Sequence, residues 1–216
     1  MKFGESTFDI LYLLFAVLSG LWLLRHARNG NERRMGLAAL ILGCGDAFHL
    51  VPRVLNYFVQ ADFTAALGGG KLITSLTMTA FYVLLYHIGL RYYGLRSNPR
   101  ASHAVWALAA LRFILCLLPQ NGWLHNESNV LWGVLRNLPF AALGAMVAAL
   151  YWRQRSESKR FARVWLYIVL SFLFYLPVAV GAGLLPILGM LMLPKTVCYV
   201  LLIIAFLGAV GKDEAR

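Results

Sequence analysis

Seven long apolar runs, separated by short segments that are alternately basic and free of Lys and Arg, constrain this chain more than any other feature it has. Crossing a hydrocarbon core of ~30 Å takes about 20 helical residues at a rise of ~1.5 Å each. Segments 8–24, 36–57, 71–91, 103–119, 130–152, 163–184 and 190–210 have that length and character. The sequence therefore predicts an all-α membrane protein, a bundle of seven transmembrane helices forming a single domain over residues 1–216. The stretch from 163 to 210 is too long for one crossing. Pro177, Gly181, Gly183, Pro186 and Gly189 interrupt it, which predicts a tight hairpin turning near Leu185. The first run has only Lys2 ahead of it, is followed by Arg25, Arg28, Arg33 and Arg34, and has no small-residue cleavage site. It reads as a retained helix rather than a secretory signal.

Composition agrees. Hydrophobic residues make up 60% and charged residues 13% of the chain, whereas soluble domains carry roughly 25% charged residues. The net charge of +11 does not indicate nucleic acid as a partner, because the basic residues lie in short loops between apolar runs. Lys and Arg number four in 25–34, three in 91–102, five in 152–163 and two beyond 210, which is fourteen of the chain's 20; segments 58–70, 120–129 and 185–189 have none. The positive-inside rule then predicts the N-terminus outside and the C-terminus in the cytoplasm, in the cytoplasmic (plasma) membrane. Tyr92, Tyr93, Trp123, Trp132, Tyr151, Trp152 and Trp165 fall near predicted helix ends, where aromatic rings favour the headgroup region. Cys44, Cys116 and Cys198 are isolated within apolar runs and are expected to be buried packing residues.

A weak internal symmetry runs through the chain. Lys71 follows Gly70 at the start of the third helix and Lys195 follows Pro194 at the start of the seventh. Tyr-Val-Leu-Leu recurs at Tyr82–Leu85 and Tyr199–Leu202. Helices 1–3 and 5–7 would be parallel repeats joined by helix 4, a 3+1+3 arrangement of the kind found among transporters.

Of the six basic residues outside the cytoplasmic segments, five fall within or near the outer half of the membrane: Arg53, Lys71, Arg112, Arg136 and Lys195. A charge at a helix centre costs about 2.5–3.5 kcal/mol on insertion scales. Lys71 and Lys195 have the bland alternative of snorkelling to headgroups. Arg136 lies about six residues inside the fifth helix, and Arg112, well inside the fourth, is expected to face the bundle interior or a wet cavity. On the second helix Asp46, His49, Arg53 and Asn56 share one face. That polar stripe must turn away from lipid, either as a structural network or as part of a site. Gly43 and Gly45 permit close approach of a neighbouring helix. Lys71, Ser75, Thr79, Tyr82 and Tyr86 form a second polar face on the third helix, with Tyr82 a candidate cavity-lining residue. Five cations against Asp46 favour an anionic ligand such as a lipid phosphate, a carboxylate or a phosphorylated small molecule. Asp46 and His49 form a pair able to move a proton. A metal site is not indicated, since Asp46 and His49 have no compelling third ligand. No motif asks for a cofactor; Gly68-Gly-Gly-Lys71 lacks the spacing and the Ser or Thr of a phosphate loop. The expected partners are membrane lipids and an anionic small-molecule or lipid ligand, and nothing in the sequence sets an oligomeric state.

One resemblance can be named on these residues. Gly36-Leu37, Gly45-Asp46-Ala47 and Leu50-Val51-Pro52-Arg53 resemble the Gly-Asp helix of the lysoplasmalogenase-like (YhhN-type) membrane proteins. The resemblance implies a multi-helix enzyme cleaving the vinyl-ether bond of lysoplasmalogens, with Asp46 as a catalytic carboxylate. The chain has one helix fewer than that family's pattern. The open functional classes are thus a lipid-processing hydrolase, a transporter of an anionic solute, and a receptor or assembly protein without turnover.

Overall fold

The structure, a computed structural model, describes residues 2–126, 130–181 and 185–210. Among these it contains seven α-helices and no strand: α1 (Lys2–His26), α2 (Gly30–Phe58), α3 (Thr64–Tyr92), α4 (Pro99–Leu117), α5 (Val130–Arg153), α6 (Val164–Gly181) and α7 (Met192–Ala209). Short 3-10 turns occupy Pro119–Asn121, Trp123–His125 and Pro186–Leu191. All seven helices are long and apolar enough to cross a membrane, α7 together with the turn before it as Ile187–Ala209. The 163–210 stretch is a hairpin: α6 ends at Gly181, and the Leu185 N–H returns to the Gly181 carbonyl at 2.8 Å. Gly183 and the two basic residues beyond 210 lie outside the described residues.

Helices α2, α3 and α4 start a turn or more before their apolar runs, because polar residues shape those starts. Asn29 caps α2, its side chain accepting the N–H groups of Asn31 and Glu32, and Glu32 reaches back to the Arg28 N–H at 2.6 Å. Asn98 accepts the Arg100 N–H ahead of α4, with Pro99 in the first turn. The Asp62 carboxylate takes hydrogen bonds from Thr64 before α3, which hold it below the usual carboxylate range.

Sequential helices pack antiparallel, and α7 closes the bundle by packing on α1 and α2 as well as α6. Within α1–α3 and within α5–α7 the middle helix packs on both of its neighbours, while α4 bridges α3 and α5. Small residues bring backbones together. Gly43 faces Ala16 and Val17 of α1, Gly45 faces Thr77 of α3, and Gly70 of α3 lies directly against the Phe48 carbonyl of α2. Of the three free cysteines, Cys116 and Cys198 are buried, but Cys44 is exposed: it lies between the two packing glycines and faces away from the bundle.

The aromatic core fills the half of the bundle nearer the Arg-rich loops. Tyr92 stacks on Phe161 with centroids 4.1 Å apart, and the buried Tyr151 hydroxyl donates to the Leu85 carbonyl at 3.0 Å. The opposite half is not filled, and the candidate site lies there.

Candidate functional site

A cavity of about 390 Å³ opens among the starts of α1, α3, α5 and α7 and the second halves of α2, α4 and α6. Asp46, His49, Arg53, Lys71, Arg112, Arg136 and Lys195, scattered over five helices, all line it. Tyr82 does not join them. It is fully buried below the cavity, its hydroxyl 3.1 Å from Ser171 Oγ and its ring edge-on to Phe140. Among the α3 candidates, Lys71 and Ser75 reach the cavity, whereas Thr79 is buried and returns its hydroxyl to the Ser75 carbonyl. Asn56 is exposed, and Tyr57 takes its place in the polar network of α2.

That network includes three residues that hydropathy and loop-charge counting passed over. Glu5, Asp9 and Tyr12 follow helical spacing along one face of α1. Arg53 Nη2 donates to Glu5 Oε2 at 3.1 Å, the Tyr57 hydroxyl donates to the same oxygen at 3.1 Å, and Asp9 Oδ2 lies 4.0 Å from Arg53 Nη1. Deeper in, the Tyr12 hydroxyl donates to Asp46 Oδ2 at 2.7 Å. Glu5 lies before the first predicted helix and Asp9 at its edge, outside the stretch where hydropathy marks a charge as unusual. Their spacing of four on one helix face was the available signal.

The remaining cations are held by a different set of groups. Arg136 Nη1 donates to Asn121 Oδ1 at 2.7 Å, and its guanidinium lies 4.4 Å from the Trp123 ring centroid. Asn121 also donates to the carbonyls of Leu115 and Leu118, so one buried amide both caps the end of α4 and orients Arg136. Lys71 Nζ donates to Asn126 Oδ1 at 2.6 Å. Lys195, only 6% exposed, lies with Nζ 4.5 Å from the Tyr175 centroid and 5.4 Å from that of Tyr199.

Arg112 differs from all of these. It is 1% exposed, and its guanidinium lies 3.3 Å from the Phe140 centroid. Among the described residues Nε and Nη1 have no hydrogen-bond partner. Leaving a buried donor unsatisfied costs about 1–3 kcal/mol, and more for a charged group. No carboxylate of the described residues forms an ion pair with it. His49 Nδ1 and Asp9 Oδ2 are likewise buried without a hydrogen bond.

The charge balance expected from the sequence is corrected by this geometry. Five cations line the cavity, but so do three carboxylates, Glu5, Asp9 and Asp46, rather than Asp46 alone. The distribution is polarised as well. All three carboxylates stand on α1 and α2, and every cation except the ion-paired Arg53 stands on α3, α4, α5 or α7. Between them lie apolar side chains such as Leu50, Met78, Phe140 and Leu193, so the lining suits a ligand with both polar and apolar parts. Among the described residues no three of His, Cys, Asp and Glu converge as a metal site would require. Comparison with known proteins returns no matching family model, curated protein or solved structure.

Proposed function

We propose that this membrane protein binds an anionic amphiphile in the cavity, with the negative group at Arg112 and flanked by Arg136, Lys71 and Lys195. Arg112 carries the reading: it lines the cavity as a fully buried charge, and two of its guanidinium donors have no acceptor among the described residues. A phosphate or carboxylate there would satisfy them with charge-assisted hydrogen bonds. The apolar lining favours an amphiphile over an inorganic ion. The cavity lies at the end of the bundle away from the Arg-rich loops, so the positive-inside rule makes it outward-facing, with the N-terminus outside the plasma membrane. Labelling of single cysteines by a membrane-impermeant maleimide in intact cells tests this topology. Reaction is expected at Asp62→Cys and not at Arg155→Cys, and the reverse pattern would invert it.

Ligand binding is tested with purified protein in detergent. Lysophosphatidylglycerol is expected to bind about tenfold or more tighter than a monoacylglycerol of the same chain, a difference of about 1.4 kcal/mol. Equal affinities would sink the anionic reading.

Turnover on such a ligand would use Asp46, held by Tyr12, and His49 one turn away to move the proton, as the resemblance to lysoplasmalogenase-like proteins implies for the carboxylate. Transport is the second reading, favoured by Lys71 and Lys195 lining one cavity from the starts of α3 and α7, where a 3+1+3 repeat would put equivalent residues. Product formation from a lysophospholipid panel supports the first; solute uptake into proteoliposomes without product supports the second.

A further inference from the structure

The anionic group accounts for one wall of the cavity and leaves the other without a counterpart. Asp9 is 4% exposed, lines the cavity, and its Oδ2 has no hydrogen bond among the described residues. Its nearest cation, Arg53 Nη1, stands at 4.0 Å, too far for a hydrogen bond, because that guanidinium is drawn to Glu5 at 3.1 Å. Asp46 keeps one oxygen on Tyr12 and lies on the same wall. A buried carboxylate oxygen without a donor, beside two more carboxylates, is an acceptor site for a cation that brings its own N–H groups.

The aromatic rings narrow the kind of cation. A quaternary ammonium is recognised chiefly by ring faces. The three aromatic side chains lining the cavity, Trp123, Phe140 and Tyr175, each already carry a cationic group of the protein: Arg136, Arg112 and Lys195 respectively. They also stand on the wall opposite Asp9, whereas that residue offers carboxylate oxygens.

We infer that the ligand is a zwitterion, carrying a primary ammonium that Asp9 receives, with Glu5 and Asp46 beside it, as well as the anionic group held at Arg112. This rests on the proposed anion site and adds the second charge. The shared chemistry is that of an aminoethyl phosphate, whether as a lipid headgroup or as a free solute.

The test is equilibrium binding to the purified full chain of three lysophospholipids with one acyl chain and ethanolamine, choline or glycerol headgroups. The ethanolamine lipid is expected to bind about tenfold tighter than the choline lipid, the scale of one charge-assisted hydrogen bond lost. Asp9→Asn is expected to bring that ratio close to one. Equal binding of the two by the wild-type chain overturns the inference whatever the variant does, and so does an Asp9→Asn protein that keeps the preference. Binding of the glycerol lipid without any ethanolamine preference removes the ammonium site and leaves the anion site standing; no binding of any of the three removes both. Competition by glycerophosphoethanolamine as effective as the lipid assigns the site to a free solute, and its absence alongside the ethanolamine preference assigns it to a lipid headgroup.

Discussion

Arg112→Met raises the thermal stability of the detergent-purified protein and weakens lysophosphatidylglycerol binding by about 30-fold or more, the scale of about 2 kcal/mol or above for removing one side of a buried charged contact. The two effects have a single cause. The native guanidinium is 1% exposed, has two donors without an acceptor among the described residues and shares the cavity with Lys195, Arg136 and Lys71. Without its ligand it is a buried charge lacking a counter-ion among the described residues, a state that removal relieves. Methionine fills a similar volume against Phe140 without the charge. A residue whose loss stabilises the fold and weakens binding is a functional residue carried at the expense of stability. Thermal melts with and without ligand read both parts. A destabilised variant with unaltered binding would instead make Arg112 a structural residue, paired in a way the geometry does not show.

Gly70→Val is expected to destabilise the protein by about 3 kcal/mol, at the upper end of overpacking effects. A Cβ at Gly70 would overlap the Phe48 carbonyl oxygen and stand 2.8 Å from the His49 Cα. Both obstacles are backbone, so no side-chain rotation can make room. α3 would have to leave α2, straining the hydrogen bond from Thr74 Oγ1 to the Gly45 carbonyl at 3.0 Å. The adjacent Gly69 has open space around its Cβ position, so Gly69→Ala is expected to be neutral or to stabilise by about 0.5–1 kcal/mol through helix propensity. Melting temperatures of the pair separate steric contact from a general effect of removing glycine. Similar losses in both would remove the close-approach argument.

The helix count and the position of the hairpin turn were legible in the sequence because both depend on local quantities, the length of an apolar run and the placing of Pro and Gly. Lysine and arginine in apolar runs were equally visible, since a charge there needs a reason wherever it points. What could not be read was which polar residues meet. Tyr12 lies in an ordinary apolar run and acquires meaning only when α2 brings Asp46 against its hydroxyl. Glu5 and Asp9 resemble a solvated tail until α1 is seen to extend past them and lie beside Arg53. Asn121 and Asn126 sit in a loop whose composition says only that it turns, yet they hold Arg136 and Lys71. Tyr82 failed in the opposite sense. It shares a helix face with Lys71, but over that distance the wall of the cavity closes into the aromatic core.

The cavity as a headgroup site is tested most directly by an experimental structure of the protein with a bound phospholipid, the lipid phosphorus being located between α4 and α5. The account predicts phosphate oxygens within hydrogen-bond reach of the Arg112 guanidinium, with the apolar chain leaving past Leu193. An empty or water-filled cavity at saturating lipid, with the Arg112 donors satisfied by a carboxylate of the protein itself, would contradict it.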